Sequence, residues 1–179
     1  MENFTPRKLA FSAATQLKWI GKRLPSRVHL ANVRFHFNGW HTARRYQRRQ
    51  GSSCPFCKNE SAEDSIEHFV YCPAVHCLFP ESWKSGNPPR IPLRNLFLFG
   101  LSGEHRLAVA LIMYALYSVH NEYRHSNHHH DFRNTIFRII AEVYLQPRLK
   151  PVLDVLVSWH QGPWASCPCA APAHHVNNM

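Results

Sequence analysis

Cys54, Cys57, His68 and Cys72 constrain this chain more than any other feature of it. They stand in the spacing C-x2-C-x10-H-x3-C, within Cys54-Pro-Phe-Cys57 and Ser65-Ile66-Glu67-His68-Phe69-Val70-Tyr71-Cys72. Two cysteines separated by two residues can turn both sulfurs toward one ion. The four-residue step from His68 to Cys72 predicts two side chains stacked on one helix face. Three thiolates and an imidazole are the soft donor set that tetrahedral Zn2+ takes in closed structural sites. With all four positions supplied by protein, no place is left for a reactive water, so the spacing predicts one structural zinc rather than a catalytic one. His76 and Cys77 lie close enough to Cys72 to substitute for a ligand. They rank lower because Pro73 interrupts the helix that would present them. Cys167 and Cys169 also have metal-like spacing, but in bland surroundings that favour an incidental pair.

The chain has 179 residues and a formal net charge of +10. The charge is unevenly placed. Residues 3–59 hold 12 Lys or Arg and no Asp or Glu, whereas residues 60–179 hold 9 basic and 10 acidic residues. A polycationic first third joined to a near-neutral body points to an anionic partner, RNA or DNA or an acidic surface. Arg and Lys alternate there with Trp19, Phe35, Phe37, Trp40 and Tyr46, so cations can meet phosphates while exposed rings stack on bases. The candidate nucleic-acid contacts are Lys22, Arg23, Arg27, Arg34, Trp40, Arg44, Arg45, Arg48 and Arg49. Each aromatic has a simpler reading as core.

No membrane partner is expected. The longest apolar stretch, Leu107–Tyr117, is 11 residues, about half of what a spanning helix needs. Lys18, Lys22 and Arg23 break the weakly apolar Leu9–Leu17, so no secretory signal is expected. An Arg/Lys-rich, acid-poor start also fits an organellar transit peptide, although the basic character runs past the usual length. The expected setting is intracellular, nuclear or cytoplasmic. Without a secretory signal, the six cysteines read as reduced thiols and metal ligands rather than disulfides.

The predicted fold is mainly α, with a small CCHC zinc module between a basic N-terminal segment and a C-terminal helical body. Leu9–Leu24 has a loose helical period that Pro25 stops, and Arg27–Phe37 reads equally as a short strand or a helix. Asn38-Gly39 marks a turn, and residues 42–49 look helical, with Arg44/Arg48 and Arg45/Arg49 along one side. In the module, residues 51–79, Asp64 is a candidate N-cap with Glu67 at N3, and Ile66, Phe69 and Val70 can pack beneath the metal. The proline-rich residues 80–92 read as a linker. The body, residues 93–161, is predicted to hold a short helix at Leu93–Leu101 and a buried one from Gly103 to Arg124 capped by Ser102. It continues with a helix capped by Asp131 and closed by Pro147, and another over Val152–Trp159. Residues 162–179 are expected to form a disordered tail.

His120, Asn121, His125, Asn127 and His128–His130 invite comparison with HNH-type nucleases, which pair a His base with metal-binding His or Asn. The predicted long helix does not offer the hairpin that such a site needs. No Gly-rich phosphate loop, G-x-S-x-G, H-E-x-x-H or paired acidic polymerase motif occurs.

Three segments together resemble the C-terminal zinc-binding region of non-LTR (LINE-type) reverse transcriptases: Asn38-Gly39-Trp40-His41-Thr42-Ala43-Arg44-Arg45, Cys54-Pro-Phe-Cys57, and Asp64–Pro73. In that family a C-P-x-C is followed by an acidic, E-H-containing helix and a closing C or C-P. The resemblance spans residues 27–80. It implies zinc at Cys54, Cys57, His68 and Cys72 and contact with template RNA or target DNA. Polymerase and endonuclease motifs are absent, so it implies a non-catalytic module. The alternatives are a zinc-stabilised protein-interaction module, with the helical body docking on a protein partner, and an HNH-like nuclease.

Overall fold

The computed structural model describes residues 6–40, 42, 53–57, 59, 61–69, 71–83, 101–125, 132–144 and 149–160. The chain is mainly α-helical, as expected. Helix α1 (Pro6–Gly21) and helix α2 (Ser26–His36) are followed by two single-turn helices, α3 (Ile66–Phe69) and α4 (Pro73–His76), and a 3-10 turn at Glu81–Trp83. The body consists of α5 (Gly103–His125), α6 (Phe132–Tyr144) and α7 (Lys150–His160). Among the described residues the only β pairing is an isolated antiparallel bridge between Ser53 and Glu63.

Helix α5 is the axis of the molecule. It has 23 residues, a length of roughly 35 Å, and residues 107–113 are all buried. A helix apolar around most of its circumference is stable only when neighbours cover every side. Helices α2, α6 and α7 pack directly on α5, and α1 lies against both α2 and α5. No helix among the described residues is long and apolar enough to cross a membrane.

Helix α2 settles the segment that periodicity left open. Val28, Ala31, Asn32 and Phe35 are buried at helical spacing, while Leu30 and Phe37 point outward. The alternation of Val28, Leu30, Val33, Phe35 and Phe37 suggested a strand only because Ala31 and Asn32 were not counted as inward-facing. Asn32 is fully buried, and its Nδ2 donates both to the Val28 carbonyl and across to the Ala110 carbonyl of α5, each at 2.9 Å. This polar cross-link fixes the register of α2 on α5.

The turn after α2 places Trp40. Asn38 adopts φ 49°, a left-handed conformation that Asn tolerates better than most residues. The Gly39 amide then donates to the Arg34 carbonyl. A Cβ on Gly39 would stand 3.0 Å from that same oxygen, so the close approach depends on glycine. Trp40 is carried inward, fully buried, with its Nε1 donating to the Ala31 carbonyl at 3.3 Å. Its ring meets Phe35, Phe69, Tyr117 and His120, with centroids 5.4–6.0 Å away. The expectation that Trp40 stacks on bases is therefore corrected: no face of the ring reaches solvent.

Finger and body share one core. Cys54, Phe56, Ile66, Phe69, Cys72 and Val75 belong to the same continuous cluster as Leu17, Val28, Leu111, Ile136 and Leu156. Trp83, expected in a linker, packs on Phe79 at 6.1 Å and on Trp159 of α7 at 4.9 Å between ring centroids. Leu101 is not helical. The rest of the predicted helix at Leu93–Leu101, the remainder of the linker, the caps Asp131 and Pro147, the arginine-rich residues 43–49 and the tail lie outside the described residues.

Truncating Trp40 removes the ring on which α2, the finger and α5 converge. Trp40→Ala is expected to cost about 3–5 kcal/mol in urea unfolding. Phe37→Ala, three residues away at 72% exposure, is expected to stay within about 0.5 kcal/mol. Equal losses at the two positions would contradict this packing.

Candidate metal centre

The first two donors come from a tight turn. Pro55, with its fixed φ and missing N–H, starts a bend over residues 55–57 that brings Cys57 back beneath Cys54. The Cys54 amide donates to the Ala62 carbonyl at 2.7 Å, closing the loop beside the Ser53–Glu63 bridge. Inside the bend the amides of Cys57 and Phe56 point at the Cys54 sulfur, and the Asn59 amide points at that of Cys57. Backbone donors aimed at a sulfur favour the thiolate that a metal requires.

The second pair is presented differently from the expectation. His68 lies on α3, which ends at Phe69, and Cys72 is extended at φ −69° and ψ 119°, immediately before α4. The two ligands do not share one helix face. Pro73 is the physical reason, because its ring disfavours helical backbone at the preceding residue. Instead of ending a helix, Pro73 opens a new one at its first turn, where its missing amide costs nothing. The N-cap also moves by one residue. Ser65, not Asp64, caps α3, with Ser65 Oγ accepting from the His68 amide at 3.0 Å.

Four donor atoms converge: Cys54 Sγ, Cys57 Sγ, Cys72 Sγ and a ring nitrogen of His68 all lie within 4.8 Å of one another. Cys54 Sγ and Cys72 Sγ are 3.8 Å apart, and Cys57 Sγ and His68 Nε2 are 3.4 Å apart. A tetrahedral ion with bonds of about 2.3 Å to sulfur and about 2.05 Å to nitrogen sets its S···S edges near 3.8 Å and its S···N edges near 3.6 Å. Both separations fit. Cys54, Cys57 and Cys72 are free thiols. Cys77, by contrast, is disulfide-bonded, which removes it as a substitute ligand and corrects the expectation that all six cysteines are reduced. His76 is buried on α4 and lies outside the four-atom cluster.

Electrostatics make the cluster dependent on a cation. The hydrogen bond with Cys72, then burial, then repulsion from Cys72 push the Cys54 thiol far above the ordinary range, against the pull of the two amides. Burial raises Cys57 as well. Burial lowers His68, with His76 adding to the effect and Asp64 opposing it, so its imidazole is kept neutral with a lone pair to donate. Without a cation the Cys54 and Cys57 thiols hold their protons, and binding of a divalent ion would therefore release them.

Asp64 is employed elsewhere. His120 of α5, fully buried, directs Nε2 at both Asp64 carboxylate oxygens, 3.0 and 3.2 Å away. The carboxylate fixes the Nε2–H tautomer, and His120 Nδ1 has no partner. Phe56 and Phe69 of the finger pack around this imidazole together with Trp40. The sequence carried no signal for this pairing, which joins residues 56 positions apart. In the sequence His120 stands only among the polar residues at the end of a long helix that invite the HNH comparison. His125 is exposed, and Asn127 and His128–His130 lie outside the described residues.

Of the expected nucleic-acid contacts, Lys22, Arg23 and Arg27 are exposed around the α1–α2 turn. Arg34 is half-buried, donates to the Tyr117 hydroxyl and lies over that ring. Arg44, Arg45, Arg48 and Arg49 lie outside the described residues.

Elemental analysis should find one metal ion per chain. His68→Ala and Cys72→Ala should lose it and, because the finger shares the core of the body, lower the melting temperature of the whole chain rather than unfold the finger alone. A metal-stripped chain that melts like the loaded one would contradict this.

The pH profile of the metal-free chain follows from the shifts. The lowered His68 makes stability fall as pH drops below about 6.5, the unfolded value. The raised thiols make it fall as pH climbs above about 8.5. Bound metal should remove the alkaline loss, which thermal melts at pH 7 and pH 10 would reveal.

Comparison with protein-family models, with curated proteins and with solved structures finds no match to this chain.

Proposed function

We propose that the cluster holds a single structural Zn2+ and that the chain is a non-catalytic nucleic-acid-contacting module, like the tail of a retrotransposon reverse transcriptase. The donor set supports zinc: three cysteine sulfurs and one imidazole nitrogen within 4.8 Å of one another match its preference for sulfur and nitrogen without redox chemistry. The observation that carries the second half is the charge distribution, 12 Lys or Arg and no Asp or Glu over residues 3–59. Among the described residues Lys22, Arg23 and Arg27 pair with no carboxylate and are available to phosphates. Lys22, Arg23 and Arg27 stand exposed where α1 meets α2. Zinc in this reading holds the fold that displays them and takes no part in a reaction.

The rival, a zinc-stabilised protein-interaction module, draws on the exposed Phe11 and Phe37, 76% and 72% accessible. An HNH-like nuclease is the weakest alternative, because His120 is engaged by Asp64.

Binding should be electrostatic and weakly dependent on sequence. Each phosphate neutralised contributes about −0.7 to the slope of log K against log salt on a single strand and about −0.9 on duplex. With roughly five contacts, affinity should fall about a hundredfold for a fourfold rise in salt. Reversing Arg44, Arg45, Arg48 and Arg49 to Glu should abolish a gel shift and leave metal content unchanged. No shift even at low salt would end the nucleic-acid reading in favour of the protein-interaction module.

A further inference from the structure

The tertiary fold adds to the basic surface a residue that the charge map of the sequence does not contain. Arg106 belongs to the near-neutral body, yet the packing of α1 against α5 brings it to the same indole as Arg23. The Arg23 guanidinium lies 4.0 Å from the Trp19 ring centroid and that of Arg106 lies 4.8 Å from it. Trp19 rests on the first turn of α5, 3.6 Å from where a Cβ on Gly103 would be. Each arginine is aimed by one backbone acceptor: Arg23 Nη1 donates to the Trp19 carbonyl at 3.2 Å, and Arg106 Nη2 to the Leu101 carbonyl at 2.8 Å.

Two like charges on one ring need a counter-charge. Among the described residues neither guanidinium pairs with a carboxylate; the ion pairs present are Asp64–His120 and Glu122–Arg138. The Arg106 Nε–H is shielded from water without an acceptor. Burial first, then repulsion from Arg23, lowers the Arg106 pKa. The ring attracts both cations but neutralises neither. An anionic oxygen ligand that meets the solvent-facing edges of the two guanidinium groups would supply the missing charge, and the amino end of α5 adds a favourable dipole there.

We propose that Arg23 and Arg106, held on the Trp19 indole, form a clamp for one phosphodiester of a bound nucleic acid. This rests on the nucleic-acid reading above and extends its footprint from the basic first third onto α5. The Arg23 half of the clamp is exposed to solvent and Arg106 is half-buried, so one phosphate oxygen can meet the outer arginine while the inner one fixes its position.

The test is the anisotropy of a labelled single-stranded oligothymidylate titrated with the full, metal-loaded chain at several salt concentrations. The chains compared are wild type, Arg23→Gln, Arg106→Gln and the control Arg138→Gln, whose side chain is exposed beside Glu122. Arg23→Gln and Arg106→Gln should each flatten the log K against log salt slope by about 0.7, which is about fivefold weaker binding at 0.1 M salt. Arg138→Gln should match wild type. Arg23→Gln alone also fits the basic-third reading, so Arg106 decides the matter, with Arg106→Met, which keeps the stem on the indole, as the second variant where Arg106→Gln fails to fold. A wild-type slope in the folded Arg106 variant would overturn the clamp and leave the basic-third reading standing. A wild-type chain that binds nothing at the lowest salt would overturn both. Competition by millimolar inorganic phosphate beyond that of chloride at equal ionic strength would also overturn the proposal, assigning the clamp to a free anion.

Discussion

Asp64 and His120 meet inside the molecule, where either alone would be costly to bury. Asp64 lies between the two halves of the metal cluster along the chain, and His120 lies on the central helix. Their contact ties the finger to the body. It is enclosed by Trp40, Phe56 and Phe69, side chains from two further segments. In such surroundings a carboxylate accepting from an imidazole gains more than it would at the surface, and leaving either partner unmatched costs correspondingly more. The turn at Asn38-Gly39, the seating of α2 and the position of α3 all follow from building this enclosure.

The four donors and the core are consequently packed as one unit. An isolated finger gains its structure almost wholly from the ion. Here Cys54 and Cys72 are also buried core residues, and Phe69, one position from His68, packs on Trp40. A bound ion would keep Phe56 and Phe69 in place around His120, and the body in turn brings the four donors together. The cluster is therefore packed into the core of a helical protein rather than being a detached module strung on linkers.

Charge is arranged in the opposite manner to the core. Lys18, Lys22, Arg23, Arg27 and Arg34 are turned outward or stacked on rings, as Arg23 is on Trp19 and Arg27 on Tyr114. Stacking extends a guanidinium and fixes its direction without cancelling its charge. A surface built this way keeps its positive charge, whereas carboxylate partners would have cancelled it internally.

The ligand set was legible in the residues alone, because C-x2-C and a downstream His and Cys carry their chemistry in local spacing. The long buried helix was equally legible, since an apolar run with polar ends needs no tertiary information. What spacing could not decide was the backbone that joins His68 to Cys72. A four-residue step fits a helix, but Pro73 excludes helical geometry from Cys72, and two single-turn helices deliver the same pair. Nor could it decide the fate of Trp40 or the role of His120. An aromatic beside arginines and a histidine on a helix each fit a surface or a core, and the choice rests on which distant side chains arrive to cover them. The joining of Arg23 to Arg106 has the same origin. Local spacing determined which groups this protein has to offer, and only the packing of α1, α2 and the finger around α5 decided which of them are buried together and which stay exposed.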